Sequence, residues 1–237
     1  MLAMTATLHT PDQNPDSPGT VLVLAGGGYH DRARHESEDV AQFLAEHGVR
    51  AAWLDYPVAP ARYPEALHQV LIAVAGLRAH GPVAVLGFSA GGHLAGTAAT
   101  ATTQELADAA ALAGLDPAQV TRPDAAVLCY PVVSMIDLPN IGSRLNLIGT
   151  DDDAPARALS VELRVDADTG PVFAWHTADD AVVGVEHSLT LAAALRRHQI
   201  PVELHVYPHG RHGLGLATGQ IDWTTPLLRW LGDQGIA

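Results

Sequence analysis

The sequence predicts an α/β protein, a mainly parallel sheet with helices on both faces. Three observations lead there. Short apolar runs alternate with helix-length stretches along the chain, the pattern of repeated strand–helix–strand units. The runs are nearly continuous in apolar residues, as strands covered on both faces should be. Finally, 237 residues, 48% hydrophobic and 16% charged, suffice to fill one sizeable core.

Residues 1–19 read as an exposed lead-in, since positions 11–19 are rich in Pro, Asp, Asn and Ser. Residues 21–25 form the first strand candidate, ending in Gly26-Gly27-Gly28. Helical spacing follows at Val40, Phe43 and Leu44, and Gly48 stops it. Residues 49–54 are a second strand, closed by Asp55-Tyr56-Pro57. A long helix is expected over residues 64–80, with Leu67, Val70, Leu71, Val74 and Leu77 on one face. Residues 83–86 make a third strand, and a helix starts after Ser89. Residues 125–130, 172–175 and 202–207 complete a count of six strands. Helices are expected over 186–198 and 222–231. The stretch 100–124 is Ala-rich and helical in character. Residues 134–169 are long, mixed and polar, and read either as a small lid or pocket wall or as a solvated surface excursion. All of this fits one domain spanning 1–237.

Composition narrows the function. A net charge of −13 disfavours binding to nucleic acid or to an anionic membrane. No apolar run approaches the roughly 18–20 residues of a membrane-spanning helix. The first ten residues lack the basic start and apolar stretch of a signal peptide, so a cytoplasmic location is expected. The single cysteine, Cys129, sits in an apolar run and reads as a buried structural thiol.

Gly87-Phe88-Ser89-Ala90-Gly91 follows a strand directly and precedes a helix. A side chain at such a turn sits in strained backbone, and glycines two residues to either side remove the Cβ atoms that would clash. The turn lifts the Ser89 hydroxyl out of the sheet and aims a helix N-terminus at whatever binds there. The plain structural alternative is a small-residue turn that lets helix and strand pack closely.

A serine hydroxyl needs a base within hydrogen-bond reach, and the base needs an orienting carboxylate. In a sheet of this kind they follow in the order serine, acid, histidine, each beyond a strand end. His176-Thr177-Ala178-Asp179-Asp180 and Pro208-His209-Gly210-Arg211-His212-Gly213 stand in those places. His212, framed by glycines, is the preferred base. His205 lies inside a strand run, and His209 directly follows Pro208. Spacing alone does not separate Asp179 from Asp180. An oxyanion requires at least two N–H donors. Ala90 is placed to supply one, and the loop Gly26-Gly27-Gly28-Tyr29 another. That loop lacks both the G-x-G-x-x-G spacing and a following P-loop Lys-Ser/Thr, so a phosphate cradle is the weaker reading.

Other groups have plainer readings. Asp151-Asp152-Asp153 reads as a solvated run. His205 and His209 have no matching Cys/His set elsewhere, so neither metal nor cofactor is expected. Trp175, Trp223 and Trp230 are core candidates, and Tyr29 is the aromatic expected to line a substrate pocket.

Taken together, these motifs resemble the α/β-hydrolase family over nearly the full chain. More closely, they resemble the small esterase/lipase group related to acetyl-xylan esterases and hormone-sensitive-lipase-like carboxylesterases. Gly26–Tyr29, Leu54-Asp55-Tyr56-Pro57-Val58-Ala59-Pro60, Gly87–His93, His176–Val183 and Gly210–Leu214 carry the likeness. The chain departs from the pattern at Ala25, often His in lipase-like relatives, and at Pro57, often Arg. The first strand is expected near Val21, which leaves no room before it for a large N-terminal cap, so a minimal cap is expected.

The resemblance implies Ser89 as nucleophile, Asp180 as acid, His212 as base, and N–H donors from Gly27 or Gly28 and Ala90. It implies hydrolysis of a small-molecule ester through an acyl-enzyme, with acetylated sugars, xylo-oligosaccharides or other short-chain esters as substrates. An amide or formamide hydrolase on the same fold is one rival, and a non-catalytic binding module another. Whether the chain forms a homo-oligomer stays open.

Overall fold

The computed structural model describes residues 6–11 and 16–237. The strands are β1 (Thr7–His9), β2 (Thr20–Leu24), β3 (Arg50–Asp55), β4 (Val83–Phe88), β5 (Ala125–Cys129), β6 (Val172–Thr177) and β7 (Val202–Tyr207). They form one sheet in the order β1-β3-β2-β4-β5-β6-β7. All neighbours are parallel except β1, which runs antiparallel to β3 and pairs Leu8 with Leu54. Chain order reverses around β2 and β4, and in an open parallel sheet the crevice at that switch point is where ligands bind.

The seventh strand corrects the sequence reading. Thr7–His9 lies in the stretch expected to be an exposed lead-in, and it adds an edge to the sheet instead. His9 stacks on Trp53 at 4.8 Å and bonds Asp55 at 2.9 Å. Ser17 is also buried, its hydroxyl accepting the N–H of Arg50. Residues 1–5 and 12–15 lie outside the described residues.

Each central strand alternates between two apolar layers. On one face Leu22, Leu24, Val85 and Leu128 meet α2 (Glu65–Leu77), α3 (Ser89–Ala99) and α8 (Glu186–Arg197). On the other, Val21, Val23, Leu86, Phe88 and Val127 meet α1 (Glu38–Glu46) and α9 (Thr224–Asp233). Trp175, Trp223 and Trp230 belong to this second layer, with Trp175 and Trp223 stacked at 5.2 Å. Cys129 is fully buried there. A capping box at Thr102 and Glu105 starts α4 (Thr103–Ala113), and Gly114 ends it in a left-handed conformation.

The excursion between β5 and β6 folds into α5 (Ile141–Ile148), α6 (Asp153–Ala158) and α7 (Val161–Arg164). Its first helix lies against the glycine loop, where Asn146 Nδ2 donates to the Gly28 carbonyl at 2.9 Å. The Asp151–Asp153 run is exposed, and Asp153 pairs with Arg144 at 3.0 Å. Among the described residues, no helix is long and apolar enough to cross a membrane.

Candidate active site

Ser89 is the first residue of α3 and has φ +52°. A side chain rarely adopts that conformation without surrounding structure to hold it. Here the glycines do the holding. A Cβ on Gly91 would run into the carbonyl oxygens of Leu24 and Ala25, and one on Gly87 into that of Gly91. Helix and strand therefore approach as closely as backbone allows, with the hydroxyl at the crest of the turn.

His212 arrives from the loop after β7, and its side chain spans two partners. Its Nε2 lies 2.8 Å from Ser89 Oγ, and its Nδ1 lies 2.6 Å from Asp180 Oδ2. Asp180 stands in the loop after β6, and its other oxygen accepts the N–H groups of Val182 and Val183 at 2.8 and 3.0 Å. Burial pushes the Asp180 carboxyl up. The opposing pull of the His176 and His212 imidazoles and the two backbone N–H groups is larger, and holds it well below the ordinary carboxylate range. The His212 ring thus has its Nδ1 proton fixed toward Asp180 and Nε2 free to accept from Ser89.

The other candidates separate cleanly. Asp179 is half-exposed and bonds His209 at 2.9 Å and the Gly210 N–H at 2.8 Å. His205 packs against Phe173 at 5.1 Å and bonds Glu203 at 2.8 Å. Neither His205 nor His209 is hydrogen-bonded to Ser89.

The glycine loop reaches the same place. A Cβ on Gly26 would lie 3.0 Å from Ser89 Cβ, so the loop passes directly beside the serine. Gly27 has φ +130° and its Cβ would strike the Asp31 carbonyl, so the turn there requires glycine. The N–H groups of Gly27 and Gly28 find no acceptor among the described residues. The Ala90 N–H lies in the first turn of α3, where a helix has no internal acceptor to offer.

Tyr29 requires correction. It was expected to line a pocket, but it is 2% exposed. Its φ of +58° turns the ring under the loop. There the hydroxyl donates to His93 Nδ1 at 2.7 Å, and His93 Nε2 donates to the Leu159 carbonyl at 2.8 Å. Burial lowers the His93 pKa to about 4, leaving a neutral ring. Tyr29 is a post beneath the loop rather than a wall beside substrate.

Sequence reasoning missed several buried polar groups nearby. His176 is fully buried, donates from Nε2 to the Val183 carbonyl at 2.9 Å, and accepts the Ser188 hydroxyl at Nδ1. His187 Nδ1 accepts the N–H groups of Val133 and Ser134, tying the start of the 134–169 excursion to α8. Glu36 bonds both the Gly26 N–H and the Tyr130 hydroxyl. His176 meets its partners within the stretch that follows β6, whereas His187 and Glu36 have no spacing signature, because they reach Val133, Ser134 and Tyr130 only across the fold.

The sequence profile of the prolyl oligopeptidase family, Peptidase_S9, matches residues 68–235. The chain belongs to that family. The prolyl oligopeptidase family match covers the stretch that carries Ser89, Asp180 and His212 and begins after the glycine loop. The acetyl ester-xyloside bifunctional hydrolase from Caldicellulosiruptor lactoaceticus superposes with a TM-score of 0.84 at 36% identity, over 98% of this chain and 88% of that one. Endo-1,4-beta-xylanase B of Butyrivibrio fibrisolvens is 31% identical over 234 residues, 91% of this chain but 35% of that protein. The acetylxylan esterase of Xylanibacter ruminicola is 25% identical over 86% of this chain and 43% of its own length. The chain thus spans less than half the length of the curated relatives it matches. The fold is that of the α/β-hydrolases.

Proposed function

We propose that this protein is a serine carboxylesterase that hydrolyses short-chain acyl esters, with acetylated sugars or xylo-oligosaccharides as its substrates. One observation carries the reading: His212 bridges Ser89 and Asp180 with hydrogen bonds of 2.8 and 2.6 Å. In this reading Ser89 Oγ attacks the ester carbonyl while its proton passes to His212 Nε2. Asp180 keeps the imidazole in the required tautomer and stabilises the imidazolium as it forms. The N–H groups of Gly27 or Gly28 and of Ala90 receive the oxyanion. The imidazolium then protonates the departing alcohol. Water, deprotonated by the same histidine, hydrolyses the acyl-enzyme and releases the acid.

The substrate class rests on relatives named for acetyl ester, acetylxylan and xylan chemistry. It is tested by acetate release from acetylated xylo-oligosaccharides, set beside turnover of p-nitrophenyl acetate, butyrate and octanoate. Acetate release with a steep fall from acetate to octanoate supports the reading. Preference for octanoate with no sugar deacetylation refutes the substrate class. The family's name favours one rival, amide hydrolysis. Matched acetyl ester and acetyl amide substrates separate the two.

A further inference from the structure

One buried carboxylate takes no part in the proposed reaction yet touches the elements on both sides of it. Glu36 is 3% exposed. Its Oε2 accepts the Gly26 N–H at 2.9 Å, at the root of the glycine loop. Its Oε1 accepts the Tyr130 hydroxyl at 2.6 Å. The Tyr130 oxygen in turn accepts the N–H of Gly215 at 2.8 Å, three residues beyond His212. The Tyr130 ring also meets the His212 ring edge-on, with centroids 5.0 Å apart. A Cβ on Gly213 would lie 3.8 Å from Glu36 Oε1, so the same oxygen fronts the residue next to His212.

We propose that Glu36 is a positioning residue for the esterase reaction, holding the glycine loop and the His212 loop at a fixed separation. The proposal rests on the Ser89 reading above. In that reading the two loops act on one carbonyl from different sides. The glycine loop supplies N–H donors to the oxygen, and His212 receives the serine proton. Their relative placement must hold to a fraction of an ångström for both to act at once. The link is short: Gly26 to Glu36 on one side, then Tyr130 to Gly215 on the other. A carboxylate suits the place because two donors converge on it, one per oxygen. A glutamine offers a single acceptor there, so keeping the Gly26 bond turns its NH2 toward Tyr130 and takes away the acceptor of the tyrosine proton. Tyr130 has φ +36° and its N–H donates to the Trp175 carbonyl at 2.7 Å, which anchors the middle of the link to β6.

The test measures p-nitrophenyl acetate turnover and phosphorylation of the serine by diethyl p-nitrophenyl phosphate, which releases p-nitrophenolate as it leaves a diethylphosphoryl group on Oγ. It uses the full chain as wild type, Glu36→Gln, Tyr130→Phe and Ser89→Ala, each with its thermal midpoint. Glu36→Gln is expected to lower kcat by about tenfold or more while KM stays within about twofold. Tyr130→Phe is expected to fall the same way by less. A purely structural role would lower the midpoint and leave kcat per folded molecule unchanged, and that result overturns the proposal. If Glu36→Gln does not fold, Tyr130→Phe decides, and wild-type kcat in that variant overturns it. Failure of the Ser89 reading looks different: the wild type takes up no diethylphosphoryl group, and Ser89→Ala matches it in turnover.

Discussion

Asp179 and Asp180 are neighbours in the chain yet serve different histidines. Asp180 bonds His212 at 2.6 Å from a fully buried side chain, and Asp179 bonds His209 at 2.9 Å in the open. The turn after β6 sends consecutive side chains in opposite directions. Asp180→Asn is therefore expected to lower kcat by about 10⁴, the scale seen when the orienting acid of such a triad is neutralised. Asp179→Asn loses an exposed pair, and such pairs contribute little. It should stay within about tenfold of wild type, the residual loss reflecting the tether from Asp179 to the Gly210 N–H. Parallel kcat/KM measurements check both. Equal losses would refute the separation of roles.

Acid should loosen the fold beneath the glycine loop. Burial holds the His93 pKa at about 4, below the usual 6.5, so the folded state resists a proton that the unfolded chain accepts. A depressed histidine contributes stability that is present above 6.5 and lost as pH falls toward 4. The full effect is on the order of 3 kcal/mol. His187, also lowered by burial, acts in the same direction. Thermal midpoints should fall steeply between pH 6.5 and 4.5, and less steeply in His93→Gln. A flat profile in the wild type would contradict the neutral, buried ring.

Two glycines should respond oppositely to alanine. At Gly91 a Cβ meets the backbone oxygens of Leu24 and Ala25, which cannot move without displacing β2. Gly91→Ala is expected to cost more than about 2 kcal/mol. Gly76 lies exposed in α2 with nothing within 4 Å of its Cβ direction. Gly76→Ala should stabilise by about 0.5–1 kcal/mol through helix propensity alone. Urea unfolding of the two variants checks the contrast.

These contrasts also explain what could be read in advance. Strands such as Thr20–Leu24 and Ala125–Cys129 are buried on both faces, so their apolar runs stand out in the sequence. Thr7–His9 is a three-residue edge strand, and two of those residues are exposed, so it carries no such signal. Ser89 and His212 stood out because glycines frame them. Asp179 and Asp180 share a spacing, and only the turn's direction separates them. Tyr29 was misplaced because a positive φ sends its ring inward, which composition does not reveal. Glu36 sits in a polar run beside His35, Glu38 and Asp39, where nothing marks it as the one that is buried against Gly26 and Tyr130.

The central claim is that Ser89, activated by His212, carries the chemistry. The most direct measurement is p-nitrophenyl acetate turnover by wild type and Ser89→Ala under saturating substrate. The account predicts ready turnover by the wild type and a fall of about 10⁴–10⁶ in kcat for the variant, with an unchanged thermal midpoint. Retention of wild-type turnover by well-folded Ser89→Ala would contradict it.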